Sequence, residues 1–171
     1  MSTRLGEAVA WIGDSDLNGM SELLASEVNP GNGMAFLYLG GPDATLNPAF
    51  GVGCAPAGPA PALLASGPLA LGTPVTFSMT GAAPFQASTL FLGQASTTGI
   101  VFPTCTIWMS PTFGPFQIGS ALTSAAGAAI YAPFTVPVDP ALIGFDVSVQ
   151  AVVLDPSGFV ATNAVSSVIG W

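Results

Sequence analysis

Asp14, Asp16, Asn18, Met20 and Glu22 occupy alternate positions of one short stretch, Asp14-Ser15-Asp16-Leu17-Asn18-Gly19-Met20-Ser21-Glu22, and four of them carry a side-chain oxygen. A hard cation such as Ca2+ gathers six to eight oxygens at roughly 2.3–2.6 Å, and alternate residues of a tightly curled loop can face one centre. Asp14, Asp16 and Asn18 then supply side-chain oxygens, Met20 its carbonyl and Glu22 the closing carboxylate, with Gly19 where the backbone must turn. Asp, Asn and Gly also make ordinary hydrogen-bonded turns, but five ligand positions in phase favour the metal. The stretch departs from the helix-flanked calcium loop, in which the closing glutamate would have to be Ala25.

Elsewhere the chemistry is thin. The chain has no histidine and one Lys or Arg, Arg4, against nine acids, for a net charge of −8. Without histidine no Ser-His or Cys-His couple can form, and without lysine there is no Schiff base and no phosphate-gripping ammonium. A carboxylate pair can hydrolyse glycosides, but of Asp43, Asp139, Asp146 and Asp155 three sit in turn or cap contexts that explain them structurally. The expectation is a protein that is not an enzyme. Nucleic acid is excluded as a partner because nothing here can displace counterions from phosphates, and the same deficit excludes polybasic attachment to anionic lipid.

Cys54 and Cys105 lack a C-x-x-C spacing and a histidine neighbour, which argues against zinc. They are either a disulfide, which an oxidising extracellular setting favours, or two buried thiols. Trp11, Trp108 and Trp171, with Tyr38 and Tyr131, are candidates for an interface or a sugar-stacking platform, although such aromatics more often fill cores.

The elements that must position these groups are strands. Val, Thr, Phe and Gly are abundant, helix-favouring charged residues are scarce, and 21 glycines and 16 prolines punctuate the chain. Residues 5–13, 23–28 and 34–39 read as a small meander with the acidic loop between its first two strands and Asn29-Pro30-Gly31-Asn32-Gly33 as the next turn. Residues 41–61 have the composition of a linker or long pinned loop, placing a boundary near residue 50 between a 1–49 unit and a 50–171 unit.

Beyond the boundary, short runs at 62–65, 74–80, 89–93, 104–110, 116–119, 128–136, 145–155 and 164–169 predict a β-sandwich. The clearest alternation sets Phe145, Val147, Val149, Ala151 and Val153 on one face, expected toward the core. Asp139-Pro140-Ala141-Leu142-Ile143-Gly144 is the single helical signal, with an aspartate cap, proline at the first position and a terminating glycine.

Leu5-Gly6, then Val9-Ala10-Trp11-Ile12-Gly13-Asp14, then the metal pattern and Leu37-Tyr38-Leu39-Gly40 resemble one integrin-alpha-type propeller repeat, the FG-GAP repeat. That resemblance, covering about residues 5–40, implies a four-stranded blade carrying calcium on Asp14, Asp16, Asn18, Met20 and Glu22. It departs at Ala25-Ser26-Glu27, where Gly-Ala-Pro is expected, and no second copy is found. One blade cannot close a propeller, so it must pack on the rest of the chain, be completed by another chain or end a longer array.

Gly51-Val52-Gly53-Cys54, Cys105, the Val138–Gly144 segment, Gln150-Ala151-Val152-Val153-Leu154-Asp155-Pro156 and Thr162-Asn163-Ala164 resemble C-terminal domains of large secreted proteins from planctomycete-like bacteria. That likeness implies secretion, a disulfide and an accessory role, and no activity.

Ala44 through Val138 carry no charge at all. A β-domain without surface charge relies on proline and glycine to blunt its edges, or it welcomes association. The fold class expected is all-β, a calcium-loop meander followed by a disulfide-linked β-sandwich. The function expected is an extracellular or cell-surface structural protein that self-associates into a homo-oligomer, filament or matrix. The alternative is an adhesion module for a surface polysaccharide or protein at the end of a larger propeller-containing chain. No run of apolar residues is long enough for a transmembrane helix. The Met1-Ser2-Thr3-Arg4 start has no apolar signal segment, so an extracellular site implies that an export signal has been removed.

Overall fold

Alternating small and apolar residues in a chain this poor in helix formers have one regular use, and the molecule takes it throughout. The computed structural model describes residues 4–13, 22–28, 34–38, 44–48, 50–56, 58–102, 105–156 and 158–170, and in them the chain is all-β apart from one 3-10 turn. Two compact units divide it, Met1–Asp43 and Ala44–Trp171.

The first unit is an antiparallel meander of β1 (Arg4–Gly13), β2 (Glu22–Val28) and β3 (Met34–Tyr38), in that order. Val9 faces Ala25, which faces Phe36, and Trp11 faces Leu23. The two-residue period therefore puts Val9, Trp11, Leu23, Ala25 and Phe36 on one face and Ala10, Leu24 and Ala35 on the other. The first face is apolar at these positions, while Glu22 and Ser26 share the second with Leu24.

The second unit begins with β4 (Thr45–Asn47), β5 (Ala62–Ala65), β6 (Pro74–Val75), β7 (Phe77–Thr80), β8 (Ala87–Phe102) and β9 (Cys105–Met109). It continues with β10 (Phe116–Leu122), β11 (Ala129–Ile130), β12 (Phe134–Thr135), the 3-10 turn Pro140–Leu142, β13 (Asp146–Asp155), β14 (Gly158–Ala161) and β15 (Val165–Val168). A seven-stranded sheet runs β10-β8-β13-β15-β4, with β14 also on β13 and β9 also on β8. Facing it are a three-stranded sheet, β11-β7-β5, and the short β12-β6 pair.

Leu63, Phe77, Met79 and Tyr131 from the smaller layer bury against Leu90, Val147, Val149, Ala151, Val153 and Val165 of the larger. Each large apolar side chain so buried stabilises the unit by about 1.5–3 kcal/mol. This is the expected sandwich, with Cys54 and Cys105 joined as a disulfide at a Cα separation of 5.5 Å.

The structure adds β14 and divides the expected runs 74–80 and 128–136 into two strands each, and three further details differ from the sequence reading. Thr45–Asn47 pairs with β15, Leu46 opposite Ser167, so part of the expected linker is an edge strand of the second unit. β8 extends far beyond residue 93: its first half pairs with β13 and β10, and after a register shift between Ala95 and Ile100 its second half pairs with β9. Gly99 carries that shift at φ 58°, in a place where an added side-chain atom would collide with Thr106 and Ile107. The third difference follows from the second. Val147, Val149, Ala151 and Val153 face the core as expected, but Ser148 and Gln150 on the opposite face are also fully buried, because the β8–β9 hairpin lies over them. Phe145 stands just before the strand and is 38% exposed.

Candidate functional site

The acidic stretch joins β1 to β2, whose ends meet with Gly13 opposite Glu22 across a register shift. Asp14, Asp16, Asn18 and Met20 lie outside the described residues; Glu22, the first residue of β2, lies within them and is 0% exposed. A carboxylate wholly removed from water requires an offsetting cation, proton or set of hydrogen bonds. An all-oxygen donor set ending on a buried carboxylate fits Ca2+. Among the described residues no group of three or more His, Cys, Asp and Glu stands together.

In the second unit the residues singled out in the sequence converge on a brace. Gly51 and Gly53 have no room for a side chain: one lies against the Trp108 indole, the other against the backbone of residues 161–163. Trp108 donates its indole N–H to the Val52 carbonyl at 2.9 Å. Cys54 exchanges backbone hydrogen bonds with Ala161 of β14 (2.8 and 3.0 Å) while its sulfur ties β9 through Cys105. The glycines, the cysteine and the tryptophan thus form one fastening.

Two side-chain amides, Gln150 buried and Asn163 half-buried, complete it. Gln150 accepts from the Trp108 backbone N–H at 2.9 Å and donates to the carbonyls of Thr106 (3.1 Å) and Thr162 (2.8 Å), serving β9 as a neighbouring strand would. Asn163 accepts from the Leu63 N–H at 2.7 Å and donates to the carbonyls of Leu63 and Pro48, so the free side of β5 is occupied. The Thr162 hydroxyl adds a bond from the Ala151 N–H at 3.0 Å. Neither amide was assigned a role by sequence reasoning, although both stand in segments quoted for the secreted-domain resemblance. A polar residue at a polar position of an alternating strand looks solvent-facing until its cover is known.

The aromatic candidates separate. Trp108 is committed to the brace, Trp11 is 73% exposed on the meander, and Trp171 lies outside the described residues. Tyr131 is buried, its hydroxyl 3.0 Å from Ser88 Oγ, and burial pushes its phenol above the ordinary range despite that hydrogen bond. Asp139 caps the 3-10 turn, accepting from the Ala141 N–H at 3.0 Å. Asp146, at the start of β13, is held above the usual carboxylate range by desolvation.

The edges of the second unit's sheets differ in how they are covered. β4 is three residues long and β11 two, β5 is covered by Asn163, and β10 is left as a seven-residue edge, paired only to β8. It contains no charge and no proline, and a single bulge between Gln117 and Gly119 is its one protective irregularity. Phe116 and Leu122 at its two ends are 59% and 72% exposed. A scan against family models finds no match, and searches of the curated proteins and of the solved structures find none either. Among the described residues no helix is long and apolar enough to cross a membrane.

Proposed function

We propose that this is a non-catalytic, extracellular or cell-surface structural protein that self-associates, stiffened by its disulfide and by Ca2+ held on Asp14, Asp16, Asn18, Met20 and Glu22. The observation that carries the reading is β10: the longest edge strand of the seven-stranded sheet, without charge or proline, within a 95-residue stretch that bears no charge. Unpaired N–H and C=O groups on such an edge are a template for another chain, and two copies of one edge can pair about a twofold axis. Disulfide bonding supports the oxidising location.

Light scattering after size exclusion, together with electron microscopy, tests it. Oligomers or fibres are expected for the native chain, and Ser120→Lys, at an exposed edge position, is expected to give monomer with unchanged thermal unfolding. A monodisperse native monomer at high concentration, with no fibres, ends the reading. For calcium, free metal at ten times its dissociation constant stabilises by about 1.4 kcal/mol, so excess chelator lowers the melting temperature and Asp16→Ala abolishes that response. No response to chelator in the native chain removes calcium.

Trp11, exposed on the same sheet face as Val9, favours a second reading, a polysaccharide- or protein-binding adhesion module. Binding to a glycan array that Trp11→Ala abolishes would support it, and absence of any such binding would remove it.

A further inference from the structure

The face of the seven-stranded sheet turned away from the core carries a cavity of about 430 Å3. Phe91 of β8, Val152 and Leu154 of β13 and Phe159 of β14 line it on three neighbouring strands, and Ile100 and Ile107, register partners on the β8–β9 hairpin, line it from above. The volume is that of a small-molecule site. Its walls are fixed to one another: Cys105 of β9 is bonded to Cys54, and Cys54 is hydrogen-bonded to Ala161 of β14. A cavity braced in this way loses little freedom when it is filled.

Its chemistry narrows the occupant. No lining residue is charged, and Thr89 is the one polar side chain. The whole second unit holds three aspartates, Asp139, Asp146 and Asp155, and no Lys, Arg or His, so a carboxylate, sulfonate or phosphate group would meet no counter-charge and a net negative unit. A peptide would bring backbone N–H and C=O groups into a space that offers them a single hydroxyl. Leu154, on the rim, is 67% exposed, so the cavity opens to solvent.

The geometry points to a binding site for an uncharged, hydrocarbon-like small molecule, aliphatic or aryl, between the β8–β9 hairpin and the outer sheet face. This inference does not depend on self-association.

Fluorescence titration of the full chain with the neutral probe N-phenyl-1-naphthylamine tests it, with the anionic probe anilinonaphthalene sulfonate alongside. Saturable binding of one neutral probe per chain is expected, at least about tenfold tighter than the anionic one. Leu154→Glu, at an exposed position, should weaken the neutral probe by about tenfold or more. Leu154→Lys should instead raise affinity for the anionic probe, because it places a counter-charge at the rim. Thermal unfolding and thiol titration confirm that both variants keep the fold and the disulfide. The proposal is overturned if the neutral probe does not saturate, if neither rim variant alters binding, or if probe uptake vanishes when the protein is diluted to monomer, which would place the probe between associated copies and not in this cavity.

Discussion

Tyr131 shows what one buried polar atom does in this core. Its ring packs with Leu63, Phe77 and Met79, and its hydroxyl meets Ser88 Oγ, which also donates to the Ala121 carbonyl at 2.9 Å. Replacing it in Tyr131→Phe keeps the ring and removes the hydrogen bond, for an expected loss of about 1 kcal/mol at neutral pH. The alkaline limb should move the other way. Desolvation raises the folded-state pKa above the unfolded value of about 10, so the tyrosine's contribution is intact below that pH. It is lost as pH rises through the folded pKa, because the unfolded phenol releases its proton first. Urea midpoints of the native chain should therefore fall more steeply above pH 10 than those of Tyr131→Phe, and parallel curves would show that the phenol loses its proton at the same pH in both states. Residues of this kind were only partly legible beforehand. The alternation around Val147–Val153 identifies its core face directly, whereas Gln150 and Asn163 gain their roles from strands distant in sequence, so their polar character alone points to solvent.

Among the elements, those with strong local signals were readable: Ala62–Ala65, the Asp139-capped turn and β13 stand where turn residues and period-two patterning place them. The second half of β8 was not, because Ala95-Ser96-Thr97-Thr98-Gly99 has no apolar alternation and lies between the residues at which β8 pairs with β9, Ala95 and Ile100. β4 and β14, at three and four residues, are likewise too short to carry a period and exist as neighbours of β15 and β13. Strands set by pairing depend on whatever holds the pair in place. For β9 that is the disulfide, Gln150 and the apolar cluster of Ile107, Met109, Val152 and Ala161. The bond closes a separation of 51 residues, for which chain entropy gives about 4 kcal/mol. Replacing both cysteines by serine should lower the unfolding free energy by about that amount and raise amide exchange in β9 before it rises in β13, as mass spectrometry of peptic fragments can resolve. Uniform exchange across both strands would mean that β9 has no independent opening.

For the whole molecule, the distribution of charge sets the terms on which the proposed self-association would occur. Six of the nine acids, Glu7, Asp14, Asp16, Glu22, Glu27 and Asp43, belong to the first unit, and the second has three aspartates and no cation. An interface between copies can hardly be built from ion pairs when Arg4 is the chain's one basic side chain. Long-range repulsion between molecules of net charge −8 opposes association, while short-range strand pairing and apolar burial on an uncharged edge favour it. Salt separates the two contributions, because the screening length shrinks from roughly 30 Å at 0.01 M to roughly 3 Å at 1 M and leaves backbone hydrogen bonds and apolar contact in place. Association measured by light scattering should therefore strengthen as sodium chloride is raised over that range, and also as pH is lowered toward the carboxylate range and the acids are neutralised. Calcium at matched ionic strength should add to the sodium effect only in a chain with an intact acidic loop, so Asp16→Ala separates bound metal from screening. Assemblies that dissolve as salt rises would place ion pairs in the interface, and the β10 edge would then not be what joins the copies.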